Sequence, residues 1–418
     1  MRMRKIRFRF LFLLLGASTF FCWNMLFYFS SPVFGSHSYN VLAAFKPLIK
    51  PLYWLDRYLY HTGYNPELHT AFPQDNHFGV VFYYTLVLIA VVGTIIWSLA
   101  DRSRPNWNYS RLNYWFRVYL RYVLAMVMFG YGLAKLIPVQ MPYPSVDDLL
   151  TPLSETGRFS ILWNFMGVAP GYMILTGASE ILGSLLLINR RTMVLGYLVQ
   201  LAILTNVVAF NIFYNVPVKM FSTQLLVYTL YLLAPYGHRL FQLFIGGQSV
   251  TLQEETYVFR VRGKRYALSG LLLVVPFLLV FLIAAGCWQR YQGRETEQKK
   301  QQIYTVASFV AKDTLPALVT DSLRWRRLLL LNGNNAIVYN IRDEKEYYDC
   351  KMDSSKKTFV LYTSPDTLSC PVFDYSVPAE GQLSLTGKWK GLPVTIRLVS
   401  EPLDSLPINK EKIKWVQD

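Results

Sequence analysis

Seven apolar runs punctuate the first three quarters of the chain, at roughly 10–29, 78–99, 114–137, 168–188, 193–214, 219–236 and 268–288. Crossing about 30 Å of hydrocarbon takes about 20 helical residues, and only helices satisfy their own backbone groups there. Each run therefore predicts a transmembrane helix, the sixth being the shortest. Past Gln301 the period changes from helical to alternating, in "IYTVASFV", "AIVYNI", "KTFVLYT", "GQLSLTG" and "LPVTIRLV". The separators "NGNN", "DSSKK", "SPDT" and "PAEG" are turn-forming. This predicts an antiparallel β domain, a meander closing into a small barrel or a two-layer sheet. In "SLTGKWKGLPVTI", Gly387 and Gly391 bracket a Lys388, Trp389 and Lys390 expected to be exposed at a hairpin.

Between the first two runs, "YNVLAAFKPLIKPLYWLDRYLYHTGYNPELHT" is apolar and aromatic but broken by Lys46, Pro47, Lys50, Pro51, Asp56 and Arg57. It is too interrupted to span and reads as an interfacial segment. Composition agrees with a membrane protein: 53% of residues are hydrophobic and 16% charged, too apolar a balance for an ordinary soluble enzyme. The net charge of +16 lies in clusters between apolar runs, which argues against a nucleic-acid face. Basic residues precede the first run and fill "DRSRPNWNYSR", "NRRT" and the 238–265 segment, whereas the 138–166 connection carries Asp147, Asp148 and Glu155 against Arg158. The positive-inside rule then puts the N-terminus in the cytoplasm and the tail outside. "RYQGRETEQKK" is basic on the outer side and breaks the pattern. The expected location is a bacterial cytoplasmic (inner) membrane, with the lipid bilayer as first partner.

Chemistry-bearing motifs are few. The histidines at 37, 61, 69 and 77 cluster in the interfacial loop without metal-ligand spacing, so no metal site is assigned. No histidine pair in the spans could hold haem, no C-x-x-C occurs, and no phosphate-binding glycine loop is present, so no flavin or nucleotide motif is found. The β domain contains no histidine. Its Cys350 and Cys370 could bridge neighbouring strands if the exterior is oxidising. A concave barrel interior for an apolar ligand is left open.

The polar positions inside the runs are more informative. Arg117, Arg121, Met128 and Lys135 fall on one stripe of the third helix. Thr176, Glu180 and Ser184 share a face of the fourth, beside Gly177 and Gly183, where small residues let helices approach. On the fifth, Gln200 and Asn211 are nearly eclipsed and Asn206 points elsewhere; Lys219 opens the sixth. Counting depth at 1.5 Å per residue puts Arg121 and Glu180 roughly 10 and 12 Å from the inner surface. The expectation is an inner layer of Arg121, Glu180 and Gln200, and an outer cationic layer of Lys135, Asn211 and Lys219 able to receive an anion. Lys135 could also simply snorkel to the interface, whereas an intramembrane carboxylate such as Glu180 reads as functional or as one half of a structural ion pair.

The pattern Arg117, an apolar run and then "G-x-x-K-L" (Gly132–Leu136), followed one helix later by "G-x-x-E-x-x-G" (Gly177–Gly183), resembles the DoxX family. "NVVAFNIFYNVPVKMFS" and "LLVYTLYLLAP" are similar to a larger DoxX-like subgroup with extra flanking helices and a soluble tail. The resemblance implies a four-helix membrane bundle over roughly 117–245. It also implies a membrane subunit of a redox or quinone-linked assembly, with no cofactor of its own and a redox partner subunit. Ser184 departs from the family, whose members usually have a glycine there.

The fold class expected is thus an α-helical polytopic membrane protein of about seven spans, containing a DoxX-like four-helix bundle, plus a C-terminal antiparallel β-rich domain. The divisions expected are 1–111, an N-terminal membrane region; 112–245, the bundle; 246–300, a cytoplasmic loop, last span and linker; and 301–418, an extracytoplasmic β domain. No catalytic residue is assigned. The candidate intramembrane polar site is Arg121, Glu180, Gln200, Lys135, Asn206, Asn211 and Lys219, for a small anionic or quinone-like ligand. The alternative is a noncatalytic binding or scaffold protein whose outer β domain recognises a ligand or partner.

Overall fold

The computed structural model describes residues 2–30, 32–33, 46–66, 75–103, 109–250, 262–298, 300–311, 322–331, 334–362, 370–406 and 408. His37 and His69 of the interfacial loop, and much of the basic "DRSRPNWNYSR" and 238–265 segments, lie outside them. The chain divides into two compact units, Met1–Tyr143 with Thr156–Tyr291, and Pro144–Glu155 with Gln292–Asp418. The 112–245 division is corrected accordingly, since residues 144–155 belong with the β domain.

The first unit is helical. Its elements are α1 (Arg2–Ser30), α2 (Lys46–Leu55), α3 (His77–Ala100), α4 (Ser110–Leu136) and, beyond the excursion that holds α5 (Val146–Leu150), α6 (Arg158–Val168), α7 (Pro170–Ile188), α8 (Met193–Phe213), α9 (Lys219–Leu233), α10 (Gly237–Phe244) and α11 (Arg262–Gln298). Among the described residues, five stretches are long and apolar enough to cross a membrane: Met3–Ser30, His77–Ala100, Pro170–Ile188, Met193–Phe213 and Val274–Thr296. Two of the seven expected spans fall short for physical reasons. Helix α4 has 27 residues but includes Arg111, Arg117, Arg121 and Lys135. Helix α9 has 15 residues, roughly 22 Å at 1.5 Å per residue.

Aromatic side chains knit α1 to α3, with Phe21 centred 4.6 Å from Phe82 and 4.8 Å from Tyr83. Arg9 is buried and satisfied, donating to Ser98 Oγ at 2.8 Å and to the Asp101 carboxylate and Tyr109 hydroxyl. Between α1 and α3, α2 runs into a π turn at Asp56–Tyr60. The Asp56 carboxylate accepts from the Thr62 amide and hydroxyl and the Tyr64 amide at 2.7–2.8 Å, closing the loop on itself.

The second unit is a closed antiparallel barrel of eight sequential strands: β1 (Gln302–Ala311), β2 (Trp325–Leu331), β3 (Asn335–Asn340), β4 (Lys345–Asp353), β5 (Thr358–Tyr362), β6 (Val372–Ser376), β7 (Gln382–Trp389) and β8 (Leu392–Glu401). Closure removes the edges that an open sheet would expose. Bulges at Val306–Ser308 and Trp325–Arg327 supply local bends. The interior is filled by Trp325, Leu328, Phe359, Phe373, Leu385, Trp389 and Ile396, a packed core in place of the concave ligand cavity left open above.

Three sequence expectations change here. Trp389 is 2% exposed, its indole donating to the Leu323 carbonyl at 3.1 Å, so it is core and not hairpin tip. The turn is Lys390–Gly391, both at positive φ, as a two-residue hairpin requires. Cys350 and Cys370 both remain thiols. Cys350 faces Leu361 across one ladder, and the Leu361 amide bonds to Pro371 across the next. Two strand spacings put the β4 and β6 rows about 9–10 Å apart, beyond the Cα distance a disulfide spans.

Strand β3 explains a different feature. Its "AIVY" is buried continuously, because the inward Ala336 and Val338 join the barrel core while the outward Ile337 and Tyr339 are covered. The cover is the 144–155 segment: Val146 and Leu150 of α5 pack on Ile303, Leu329, Ile337 and Tyr339. A reciprocal Ser145–Asp148 capping box starts α5. Asp147 Oδ1 accepts from Tyr339 Oη at 2.5 Å and Lys345 Nζ at 2.7 Å, and Lys345 also donates to Thr151 Oγ1 at 2.6 Å.

Candidate intramembrane polar site

Helices α4 and α7 run antiparallel and touch backbone to backbone. A Cβ on Gly132 would lie 2.8 Å from the Gly177 carbonyl oxygen, and one on Gly177 would lie 2.7 Å from that of Gly132. No side chain fits at this crossing, which is why both positions are glycine. One turn on along each helix come Lys135 and Glu180. On antiparallel helices their Cα atoms lie on opposite sides of the crossing, at different depths. Helical side chains lean toward their own N-terminus, so the two extend toward each other. Lys135 Nζ donates to both Glu180 oxygens, at 2.8 and 2.9 Å. Both residues are buried, 7% and 3% exposed.

The crossing itself corrects the expected inner layer. Arg121 lies about three turns from Gly132 and Glu180 about one turn from Gly177 on the same side of the contact, so the two are not level and Arg121 does not reach Glu180. Its Nη1 donates to Met193 Sδ at 2.8 Å. Gln200 does reach the α7 backbone, through Nε2 to the Glu180 carbonyl at 3.3 Å and Ser184 Oγ at 3.4 Å. It fits because Gly183 opposes it: a Cβ there would sit 2.7 Å from Gln200 Nε2. Gly196 makes the matching close approach to Leu187, completing the α7–α8 hairpin.

The outer cationic layer does not form either. Lys135 is neutralised by Glu180, and Lys219 is held at the start of α9 by Asp75, 3.5 Å from its Nζ, which also accepts from the Lys219 and Met220 amides at 2.6 and 3.0 Å. Asn206 was expected on a face apart from Asn211, yet both line one cavity with the ion pair.

That cavity, about 290 Å³, is bounded by α4, α6, α7, α8 and α9. Its polar wall includes Lys135, Glu180, Gln140, Asn206 and Asn211. Its apolar wall includes Met128, Met166, Trp163, Tyr172 and Phe210. Gln140 Oε1 is buried with no hydrogen-bond partner. The pair leaves one ammonium hydrogen and further carboxylate lone pairs unused. The lining is therefore net neutral and offers both donors and acceptors. Among the described residues, no three His, Cys, Asp or Glu side chains gather as for a metal.

Sequence reasoning missed two things here. Gln140 lies in a loop outside every apolar run and carried no periodic signal. A second buried network joins Tyr83 Oη to Gln224 Oε1 at 2.7 Å, Gln224 Nε2 to Tyr228 Oη at 2.8 Å, and Tyr228 to Ser18 Oγ at 2.8 Å. Its signal was the i, i+4 spacing of Gln224 and Tyr228 on α9.

Fold and site together define a largely helical protein, with helices long and apolar enough to cross a membrane, a cavity around a buried lysine–glutamate pair and a C-terminal β-barrel. The chain is 35% identical over 113 residues to the uncharacterized protein YwoB of Bacillus subtilis, a match that spans 27% of this chain and 71% of YwoB. It belongs to the family of that protein. No family profile matches the chain, and no solved structure does.

Proposed function

We propose that this is a DoxX-type integral membrane protein whose helical body holds a quinone-like head group, as the membrane subunit of a redox assembly whose electron carrier is on a partner. The observation that carries the reading is the cavity of about 290 Å³ with the Lys135–Glu180 pair in its polar wall. A quinone carbonyl would accept from the remaining Lys135 hydrogen, and a quinol hydroxyl would donate to Glu180 or to the unpartnered Gln140 Oε1. Methionine and aromatic walls suit the ring. A net-neutral lining favours such a molecule over an anion.

In this reading α4 and α9 also span, making seven, with the N-terminus cytoplasmic and the barrel outside the cytoplasmic membrane. Supporting it is the shared compact unit of Pro144–Glu155 and the barrel. The loop after the third span and the tail after the seventh must lie on one side, as seven spans require.

The test is purification in native lipid with mass spectrometry of what accompanies the protein. An isoprenoid quinone should accompany the wild type and be lost from Lys135→Met/Glu180→Gln. Absence of quinone from both would remove the reading. The second reading, a barrel that recognises a ligand, rests on a pocket of about 290 Å³ lined by Tyr347, Tyr348, Asp349, Tyr362 and Asn335. It would be favoured if a soluble partner copurifies without quinone.

A further inference from the structure

Arg121 is 4% exposed, so its guanidinium does not snorkel to water. Its described partners are a thioether, Met193 Sδ at 2.8 Å, and the face of Tyr122, 5.4 Å from the ring centre. Its Nε is buried without an acceptor, and no ion pair among the described residues includes it. Thioether sulfur is a weak acceptor, so this buried cation is undersatisfied. Arg117, one turn earlier, is engaged by the Leu232 carbonyl at 2.9 Å and the Tyr236 ring.

The position makes the imbalance sharper. Met193 is the first residue of α8, a 21-residue helix whose N-cap Thr192 makes no side-chain cap. The Thr192 hydroxyl donates back to the Leu186 carbonyl at 2.9 Å. First-turn amides have no acceptor within the helix, and the positive end of the dipole lies there. Arg190 and Arg191, both exposed, immediately precede the turn. A buried guanidinium, an uncapped helix start and two exposed arginines therefore meet, and no ion pair among the described residues joins any of them to a carboxylate. Repulsion opposes that arrangement unless an anion joins it.

We infer that the start of α8 binds a phosphate group, whose oxygens replace Met193 Sδ as acceptor for Arg121 and take hydrogen bonds from the first-turn amides, with Arg190 and Arg191 at the rim. Guanidinium and phosphate match in bidentate geometry, and helix starts bind phosphate readily. The flexible Met193 side chain gives way when the anion enters. An acidic phospholipid and a free anion both present this phosphate chemistry, and the site is distinct from the Lys135–Glu180 cavity.

The experiment is thermal unfolding of the full chain in detergent, titrated separately with dioleoyl phosphatidylglycerol, dioleoylglycerol and inorganic phosphate. Phosphatidylglycerol at a hundredfold excess over its dissociation constant should raise Tm by several degrees, on the order of 5 °C. Dioleoylglycerol, with the same chains and no phosphate, should not. An equal rise with inorganic phosphate identifies a free anion as ligand; a rise with the lipid alone identifies the headgroup. Arg121→Gln should abolish the rise. Arg190→Gln/Arg191→Gln, at exposed positions, should weaken it without lowering the starting Tm, and decides the matter if Arg121→Gln does not fold. No rise with either phosphate source, an equal rise with dioleoylglycerol, or a full rise in both variants would overturn the inference.

Discussion

Lys135 and Glu180 each lie three residues beyond a glycine, Gly132 and Gly177, and those glycines are the point at which their helices touch. Helix contact and ion pair are thus one arrangement. Removing one partner of a buried pair leaves the other uncompensated, a cost of about 3–5 kcal/mol. Glu180→Gln and Lys135→Met should each lower Tm in detergent, and the double variant should lose much less than their sum. Arg121→Gln with Glu180→Gln should instead add, since those residues do not touch. Additive losses for Lys135 and Glu180 would remove the pair.

Gly177→Ala tests the crossing itself. Its Cβ would meet the Gly132 carbonyl oxygen at 2.7 Å and Lys135 Cβ at 2.8 Å, and backbone cannot step aside cheaply. Overpacking of this kind costs about 1–3 kcal/mol. The helices should part and loosen the ion pair, so quinone retention should fall along with Tm. A stable Gly177→Ala protein with unchanged ligand content would show that the contact does not position the pair.

The sequence made the helices, the β tail and the importance of Glu180 and Lys135 legible, because long apolar runs and lone charges within them are strong signals. Partner choice was not legible from depth counting. Counting from the ends of the apolar runs set Arg121 level with Glu180, whereas the glycine crossing leaves Arg121 about two turns nearer the start of α4. The count also ignored the lean of side chains toward each helix start, which brings Lys135 to Glu180. The barrel's closure was expected as one of two outcomes, but β2, β4 and β6 were missed. "WRRLLLL" has no alternation, and "KEYYDCKMD" is too polar to read as a buried strand. The 144–155 segment was hidden for a different reason: its apolar residues, Val146 and Leu150, are too few to mark an element, and their target lies more than 150 residues away.

Acid should loosen the barrel through Glu346. Burial opposes its ionisation, but hydrogen bonds from Lys390 at 2.6 Å and Tyr348 at 2.6 Å outweigh burial and hold it below the ordinary glutamate range. A lowered folded value contributes stability that is present above the unfolded value and lost as pH falls through the folded one. Lys390→Met should therefore reduce barrel stability near neutrality and flatten its decline in acid, read by tryptophan fluorescence through Trp325 and Trp389. An unchanged acid limb would mean that other carboxylates govern it.

The barrel should need its distant segment. A fragment beginning at Gln292 keeps all eight strands but uncovers Ile337, Tyr339, Ile303 and Leu329, which Val146 and Leu150 otherwise bury. It should give a β-type circular dichroism spectrum, yet unfold at lower denaturant than the same fragment carrying residues 144–155 fused through a flexible linker. Burying one Val or Leu side chain contributes about 1.5–3 kcal/mol, so the fusion should gain at least that, less the cost of ordering twelve residues. Asp147→Ala in the fusion should then lose part of the gain, because Lys345 Nζ and Tyr339 Oη both give up their shared acceptor and each buried polar group so stranded costs about 1–3 kcal/mol. Equal unfolding midpoints with and without the segment would mean that the barrel is complete alone and that the interhelical loop gains nothing by resting on it.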